Sequence, residues 1–132
     1  MSVLGELQPN KVFKYFEEIC SIPHGSRNLQ QISDYLVDFA KAHELKYRQD
    51  EDLNVIIWKD GSKGYEASEP VILQGHMDMV AVKEADCDKD MEKEGLDLEI
   101  NGDYISAKGT SLGGDDGIAV AYTLAVLDDE EM

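Results

Sequence analysis

Val71-Ile72-Leu73-Gln74-Gly75-His76-Met77-Asp78-Met79-Val80 begins as an apolar, largely β-branched run and ends on a His-x-Asp. Such a run reads as a buried strand, and strand ends are where α/β proteins keep their chemistry. Side chains two apart on an extended segment point to the same side, so His76 and Asp78 can converge. In a pair of this kind the imidazole binds a metal through one nitrogen, and the carboxylate takes the proton of the other and fixes the tautomer. The plainer alternative is a strand-end histidine with no catalytic task, and His-x-Asp alone does not decide between them.

A second segment, Gly109-Thr110-Ser111-Leu112-Gly113-Gly114-Asp115-Asp116-Gly117, precedes the apolar run Ile118 to Leu127. Gly113 and Gly114 permit backbone conformations closed to other residues, so Asp115 can be brought into a cramped, partly buried position. A buried carboxylate needs a positive partner or a metal. The competing reading is that Asp115 or Asp116 merely caps the helix that follows. The glycine-rich stretch lacks the Gly-Lys-Ser/Thr ending of a phosphate loop, and Ser111 lacks the G-x-S-x-G setting of a nucleophile elbow. Asp86, Asp88 and Asp90 match the first positions of an EF-hand, but Met91 replaces its turn glycine and no amphipathic helices flank it.

Around these segments the periodicity predicts an α/β fold, a mixed sheet covered by helices. Val12, Phe13, Phe16, Ile19 and Cys20 mark an amphipathic helix over residues 9–20, stopped by Pro23. After the turn-rich stretch 24–28, a second helix carries Leu29, Ile32, Tyr35, Leu36, Phe39 and Ala40 on one stripe and fades near His43. Val55-Ile56-Ile57-Trp58 and Val71 to Gln74 read as strands of the sheet core, and Asn101-Gly102 between two short apolar runs predicts a β-hairpin. Residues 82–97 are crowded with Lys, Asp and Glu and read as a solvated rim or lid. The run Ile118 to Leu127 is long enough for about three helical turns. The acidic residues after it oppose the helix macrodipole, so the chain looks cut rather than finished. His24 and His43, in a turn and at a helix end, read as structural, and the aromatic residues as core.

At 132 residues the chain has the size of one domain, 1–132. With 28 Asp plus Glu against 12 Lys plus Arg, its formal charge of −16 repels nucleic-acid phosphates and anionic membrane surfaces. Cys20 and Cys87 form neither a disulfide framework nor a CxxC zinc site, which points to a reducing compartment. The first residues lack a signal-peptide pattern and no run is long enough to span a bilayer, so the expectation is a cytoplasmic protein with no nucleic-acid or membrane partner.

The two ordered motifs, together with Ile19-Cys20-Ser21-Ile22-Pro23-His24-Gly25-Ser26 and the Asn101-Gly102 hairpin leading to Lys108-Gly109-Thr110, resemble the cytosolic aminoacyl-histidine dipeptidases, or peptidase D. These belong with the dinuclear zinc exopeptidases. The likeness runs over essentially the whole chain and implies the N-terminal part of a catalytic domain, with Zn²⁺ as cofactor, two per intact site, and Mn²⁺ or Co²⁺ as substitutes. It implies that His76 ligates one metal, that Asp78 acts catalytically by orienting and polarising that His, and that Asp115 bridges both metals. Asp116 is Asn in many relatives, so its charge reads as dispensable, and the bond joining it to Asp115 is expected to be cis.

Relatives are several times longer. Beyond Met132 they supply a Glu pair, a further acidic ligand, a second metal-binding His and a dimerising domain, for none of which this sequence offers a match. The implied function is metal-dependent hydrolysis of unblocked dipeptides of the Xaa-His type in the intact protein, with this fragment inactive alone and exposing apolar surface that favours self-association as a homodimer. The alternative is a noncatalytic acidic metal-binding or interaction domain that retains the fold.

Overall fold

Two amphipathic helices, α1 (Asn10–Cys20) and α2 (Gln30–Ala42), open the computed structural model, which describes residues 2–132. Their apolar stripes face inward: Val12, Tyr15, Phe16, Ile19 and Cys20 are buried on α1, and Ile32, Leu36, Val37, Phe39 and Ala40 on α2. A third helix, α3 (Gly114–Leu127), packs its buried Ala121 and Leu124 into the same cluster as α1, and Ile19 and Leu124 are only 1% and 2% exposed. Burying a side chain of that size stabilises by about 1.5–3 kcal/mol, so this helical cluster holds most of the core.

Four short strands complete the architecture. β1 (Lys46–Gln49) pairs antiparallel with β2 (Val55–Trp58), and β3 (Leu98–Asn101) with β4 (Tyr104–Ala107). The α/β class read from the sequence is borne out, with the strands arranged as two separate antiparallel hairpins. In the second hairpin Asn101 faces Tyr104, so the turn centre is Gly102-Asp103, one residue later than the Asn-Gly reading, and Gly102 adopts φ +62° at the first central position. The first hairpin is tied to α2 through buried Ser33, whose hydroxyl donates to the Leu53 carbonyl at 2.7 Å and accepts from Gln49 Nε2 at 2.8 Å.

Residues 82–97 are irregular, as expected of a solvated excursion, yet they are anchored at both ends. Glu84 N donates to the Gly109 carbonyl at 2.8 Å, and Leu96 N to the Cys20 carbonyl at 2.8 Å.

Val71, Ile72 and Leu73 depart from expectation. The run belongs to no helix or strand among the described residues, and it is 81%, 89% and 52% exposed. β-Branched residues favour an extended backbone whether or not a neighbour is present, whereas burial needs a covering element. The expected sheet-core strand is therefore not formed among the described residues, because the pattern records a preference and not a pairing partner.

The acidic C-terminal end of α3 also resolves differently from a simple dipole conflict. Lys59 Nζ donates to the carbonyls of Val126, at 3.1 Å, and Asp129, so a cation does meet the negative end of the helix. Asp128 is held by Tyr15 Oη at 2.7 Å, His43 Nε2 at 3.1 Å and Lys11 Nζ at 3.5 Å, tying the end of α3 to both α1 and α2. The Tyr15 hydroxyl bond is the main influence holding the Asp128 carboxyl below its usual range, with Lys11 and His43 adding to it. A depressed carboxyl stabilises the fold above its unfolded pKa and loses that contribution as pH falls through its folded value. Asp128→Ala should cost about 1–2 kcal/mol near neutrality. Asp128→Asn keeps an acceptor for Tyr15 and should cost less, and its stability deficit relative to wild type should shrink on acidification below the carboxylate range. Thermal unfolding of the three proteins across pH 2–7, roughly the span over which carboxylates titrate, checks this.

Candidate metal centre

Met79 is where three segments meet. It is 3% exposed, and it forms an isolated parallel bridge with Gly25 in the loop between α1 and α2. Met79 N donates to the His24 carbonyl at 3.0 Å, and Ser26 N donates to the Met79 carbonyl at 2.9 Å. Its side chain lies against Gly113, which has φ +74°, and a Cβ there would stand 2.9 Å from the sulfur. Both the left-handed backbone and the close approach require glycine. This seat brings the end of the 71–79 segment against the start of α3.

His76, Asp78 and Asp115 meet there, His76 and Asp115 being 39 positions apart in the chain. His76 Nδ1 lies 3.0 Å from Asp78 Oδ1 and 3.0 Å from the Asp78 carbonyl, and Nε2 lies 3.0 Å from Asp115 Oδ1. Asp116 joins them through Oδ2, which accepts the backbone N–H of His76 at 3.2 Å. The Asp115–Asp116 peptide bond is cis, as the resemblance implies. Neither carboxylate accepts a helix N–H among the described residues, and the N-cap position, Gly113, makes no side-chain cap. The two aspartates are turned toward His76, which disfavours the capping alternative.

Asp115 is not partly buried. Its side chain is 94% exposed, so the expectation built on desolvating this carboxylate fails. The glycines deliver it to the surface beside an imidazole that is itself 53% exposed. The argument for a cation rests instead on donors and acceptors. A neutral imidazole carries one N–H, and here each ring nitrogen faces a carboxylate oxygen. With the proton on Nδ1 bonded to Asp78, the contact between Nε2 and Asp115 needs a second proton or a metal ion between two lone pairs.

The protonated form is correspondingly favoured in the metal-free protein. The hydrogen bond to Asp115, foremost, and those to Asp78 raise the His76 pKa above its ordinary value. The Ser26 hydroxyl, foremost, and His76 hold Asp78 below the usual carboxylate range. Two ligands of one zinc ion, each about 2.0–2.2 Å from it, stand roughly 3.0–3.5 Å apart, and the observed 3.0 Å lies at the short end of that span. None of the ion pairs among the described residues brings a Lys or Arg to Asp78, Asp115 or Asp116. The donor set is partial, because no group of three or more His, Cys, Asp or Glu side chains among the described residues is placed to hold one ion.

The other histidines lie elsewhere. His24 is 3% exposed, with Nδ1 2.6 Å from the Ile22 carbonyl, and burial pushes its pKa down. His43 stacks on Phe39 and reaches Asp128. Sequence reasoning missed Ser26, whose Oγ donates to Asp78 Oδ2 at 2.6 Å. A serine in a turn-rich stretch carries no signal that separates this contact from ordinary turn chemistry.

An exposed His–Asp–Asp cluster thus stands at the joint of the 71–79 segment and a helix start, on an α/β scaffold. No protein-family model matches the chain. Over its 132 residues it is 40% identical to the cytosol non-specific dipeptidase of Escherichia coli (strain K12), of which it covers 27%. The crystal structure of aminoacylhistidine dipeptidase from Vibrio alginolyticus matches with a TM-score of 0.95 at 38% identity, over 99% of this chain and 27% of that one. The chain thus spans about a quarter of the relatives it matches, and the resemblance read from its motifs is borne out along its length. No helix among the described residues is long and apolar enough to cross a membrane.

The contact that Asp116 makes at the site is an oxygen accepting the His76 N–H, for which a charge is not required. Asp116→Asn, which retains an acceptor for the His76 N–H, should leave the melting temperature within about 2 °C of wild type, whereas Asp116→Ala should cost about 1 kcal/mol. Parallel thermal unfolding of the three proteins checks both.

Proposed function

We propose that the intact protein hydrolyses unblocked dipeptides with the aid of divalent metal ions, and that this chain, as one part of the catalytic domain, supplies one sector of the metal centre. The observation that carries this reading is the single imidazole facing a carboxylate oxygen from each ring nitrogen, with no lysine or arginine paired to them among the described residues. Both relatives carry a dipeptidase name, which supports the reaction class.

His76 would hold a metal through Nε2, with its Nδ1 proton bonded to Asp78. Asp78 thereby fixes the tautomer and strengthens the imidazole as a donor. Asp115 offers Oδ1 beside Nε2, and its Oδ2, which has no hydrogen-bond partner among the described residues, is open to a second ion. Zinc suits an imidazole and carboxylate oxygens, and Mn²⁺ or Co²⁺ can take the same donors. When bound, such ions supply Lewis-acid polarisation of the scissile carbonyl and a water acidified toward a pKa of about 7. Catalytic zinc sites draw on about three protein donors per ion, so the remaining ligands and the general base are assigned to parts of the intact protein that correspond to the rest of the relatives' length. Those parts are also the natural cover for Val71, Ile72 and Leu73. Preference for Xaa-His dipeptides, a homodimeric state and a cytoplasmic location follow from the resemblance and are proposed on that basis.

The full-length protein supplied with zinc should hydrolyse unblocked dipeptides, and His76→Ala and Asp115→Ala should each lower turnover by more than the ~100-fold upper end typical of losing an outer partner of a metal ligand. The 132-residue chain by itself should show no turnover. Robust hydrolysis by that chain alone would overturn the divided centre, and tight zinc uptake surviving loss of both His76 and Asp115 would replace this reading with a noncatalytic acidic metal-binding module.

A further inference from the structure

Asp78 has two carboxylate oxygens with different partners: Oδ1 faces His76 Nδ1 at 3.0 Å, and Oδ2 accepts the Ser26 hydroxyl at 2.6 Å. A carboxylate rotates about its last side-chain bond over a broad range, so Oδ1 stays on the imidazole only if the other oxygen is held. Ser26 is itself held, because its backbone N–H donates to the Met79 carbonyl at 2.9 Å while Met79 N bonds the His24 carbonyl at 3.0 Å. The hydroxyl also approaches the Met79 carbonyl at 3.3 Å, but the short bond to a charged acceptor is the stronger of the two. The α1–α2 loop is therefore docked by its backbone, and the Ser26 side chain is left to act on Asp78.

From this geometry we infer that Ser26 is a positioning residue for the metal centre, the outer member of a Ser26–Asp78–His76 chain that sets the orientation of the metal-binding imidazole. The inference rests on the metal reading of His76 given above. Ser26 touches neither metal nor substrate, and its effect passes through two further side chains. Partners of this outer kind typically change metal affinity or activity by about 10–100-fold when lost. Since two backbone bonds already hold the loop, deletion of the hydroxyl leaves the fold in place. Threonine supplies the same hydroxyl, and the exposure of position 26 leaves room for the added methyl.

The test uses the full-length protein with Ser26→Ala, Ser26→Thr and His76→Ala, each followed by zinc competition against a chromogenic chelator, kcat and KM on a dipeptide, and metal-free thermal unfolding. Ser26→Ala should weaken zinc binding about 10-fold and lower kcat by a similar factor with KM little changed, at a melting temperature within about 2 °C of wild type. Ser26→Thr should restore both to within about twofold. Wild-type zinc affinity and kcat in Ser26→Ala would overturn the inference, and so would a threonine variant as impaired as the alanine one. Zinc affinity retained in His76→Ala would remove the metal reading itself and the role of Ser26 with it, whereas zinc lost from His76→Ala but kept in Ser26→Ala would remove the Ser26 assignment alone.

Discussion

His76 meets Asp115 because Met79 is locked on two sides. Its backbone is hydrogen-bonded in both directions to the 24–26 loop, and its side chain fills the space that a Cβ on Gly113 would occupy. The first contact fixes where the extended segment ends, and the second fixes where the backbone entering α3 must pass. Three residues upstream on one segment and two residues downstream on the other, the imidazole and the carboxylate have little choice but to face each other. A larger residue at 113 would force the two segments apart, and the clamp would then position nothing.

The same seat explains why so exposed a cluster is ordered. Neither Asp115 nor His76 gains much from burial, and an exposed ion pair by itself contributes little. Order comes from the backbone beneath: the bridge at Gly25, the His76 N–H held by Asp116, and the packing of α3 on α1. Two carboxylates then flank one imidazole, with that of Asp116 on the His76 backbone N–H, on a chain of net charge −16, and none of the ion pairs among the described residues brings a lysine or arginine to them. An arrangement of this sign favours cations over anions through its field. Desolvation, the force first invoked for Asp115, plays no part in it.

The elements legible in the sequence are those whose apolar residues record their own surroundings. α1 and α2 follow from their stripes, α3 from its long apolar run, and the second hairpin from its glycine turn, although the turn centre sits one residue later than the Asn-Gly pair suggests. β1 was not legible, because Lys46-Tyr47-Arg48-Gln49 has no alternation, and three of its four residues are exposed. It is a strand by virtue of backbone pairing to β2. At the site, residue type and spacing make His76, Asp78 and Asp115 candidates, and only the resemblance separates them from a strand-end histidine and helix-capping aspartates. The contributions of Ser26 and of the Asp116 oxygen are contacts between segments distant in sequence, and no local pattern encodes them.

The segment carrying His76 is held unevenly, and this bears on how the centre works. On one side of the histidine, Asp78 and Met79 are fastened to a loop and to Gly113, while on the other, Val71 to Leu73 stand in solvent with an apolar composition suited to burial. Large apolar side chains exposed to that degree are costly to hydrate and gain on being covered. A cover over them would restrain the segment from its free side, and the orientation of His76 would then depend on the clamp at Met79 and on that cover together. Leu73 and His76 are three positions apart on that segment, so a surface packing on the apolar run comes close to the imidazole as well.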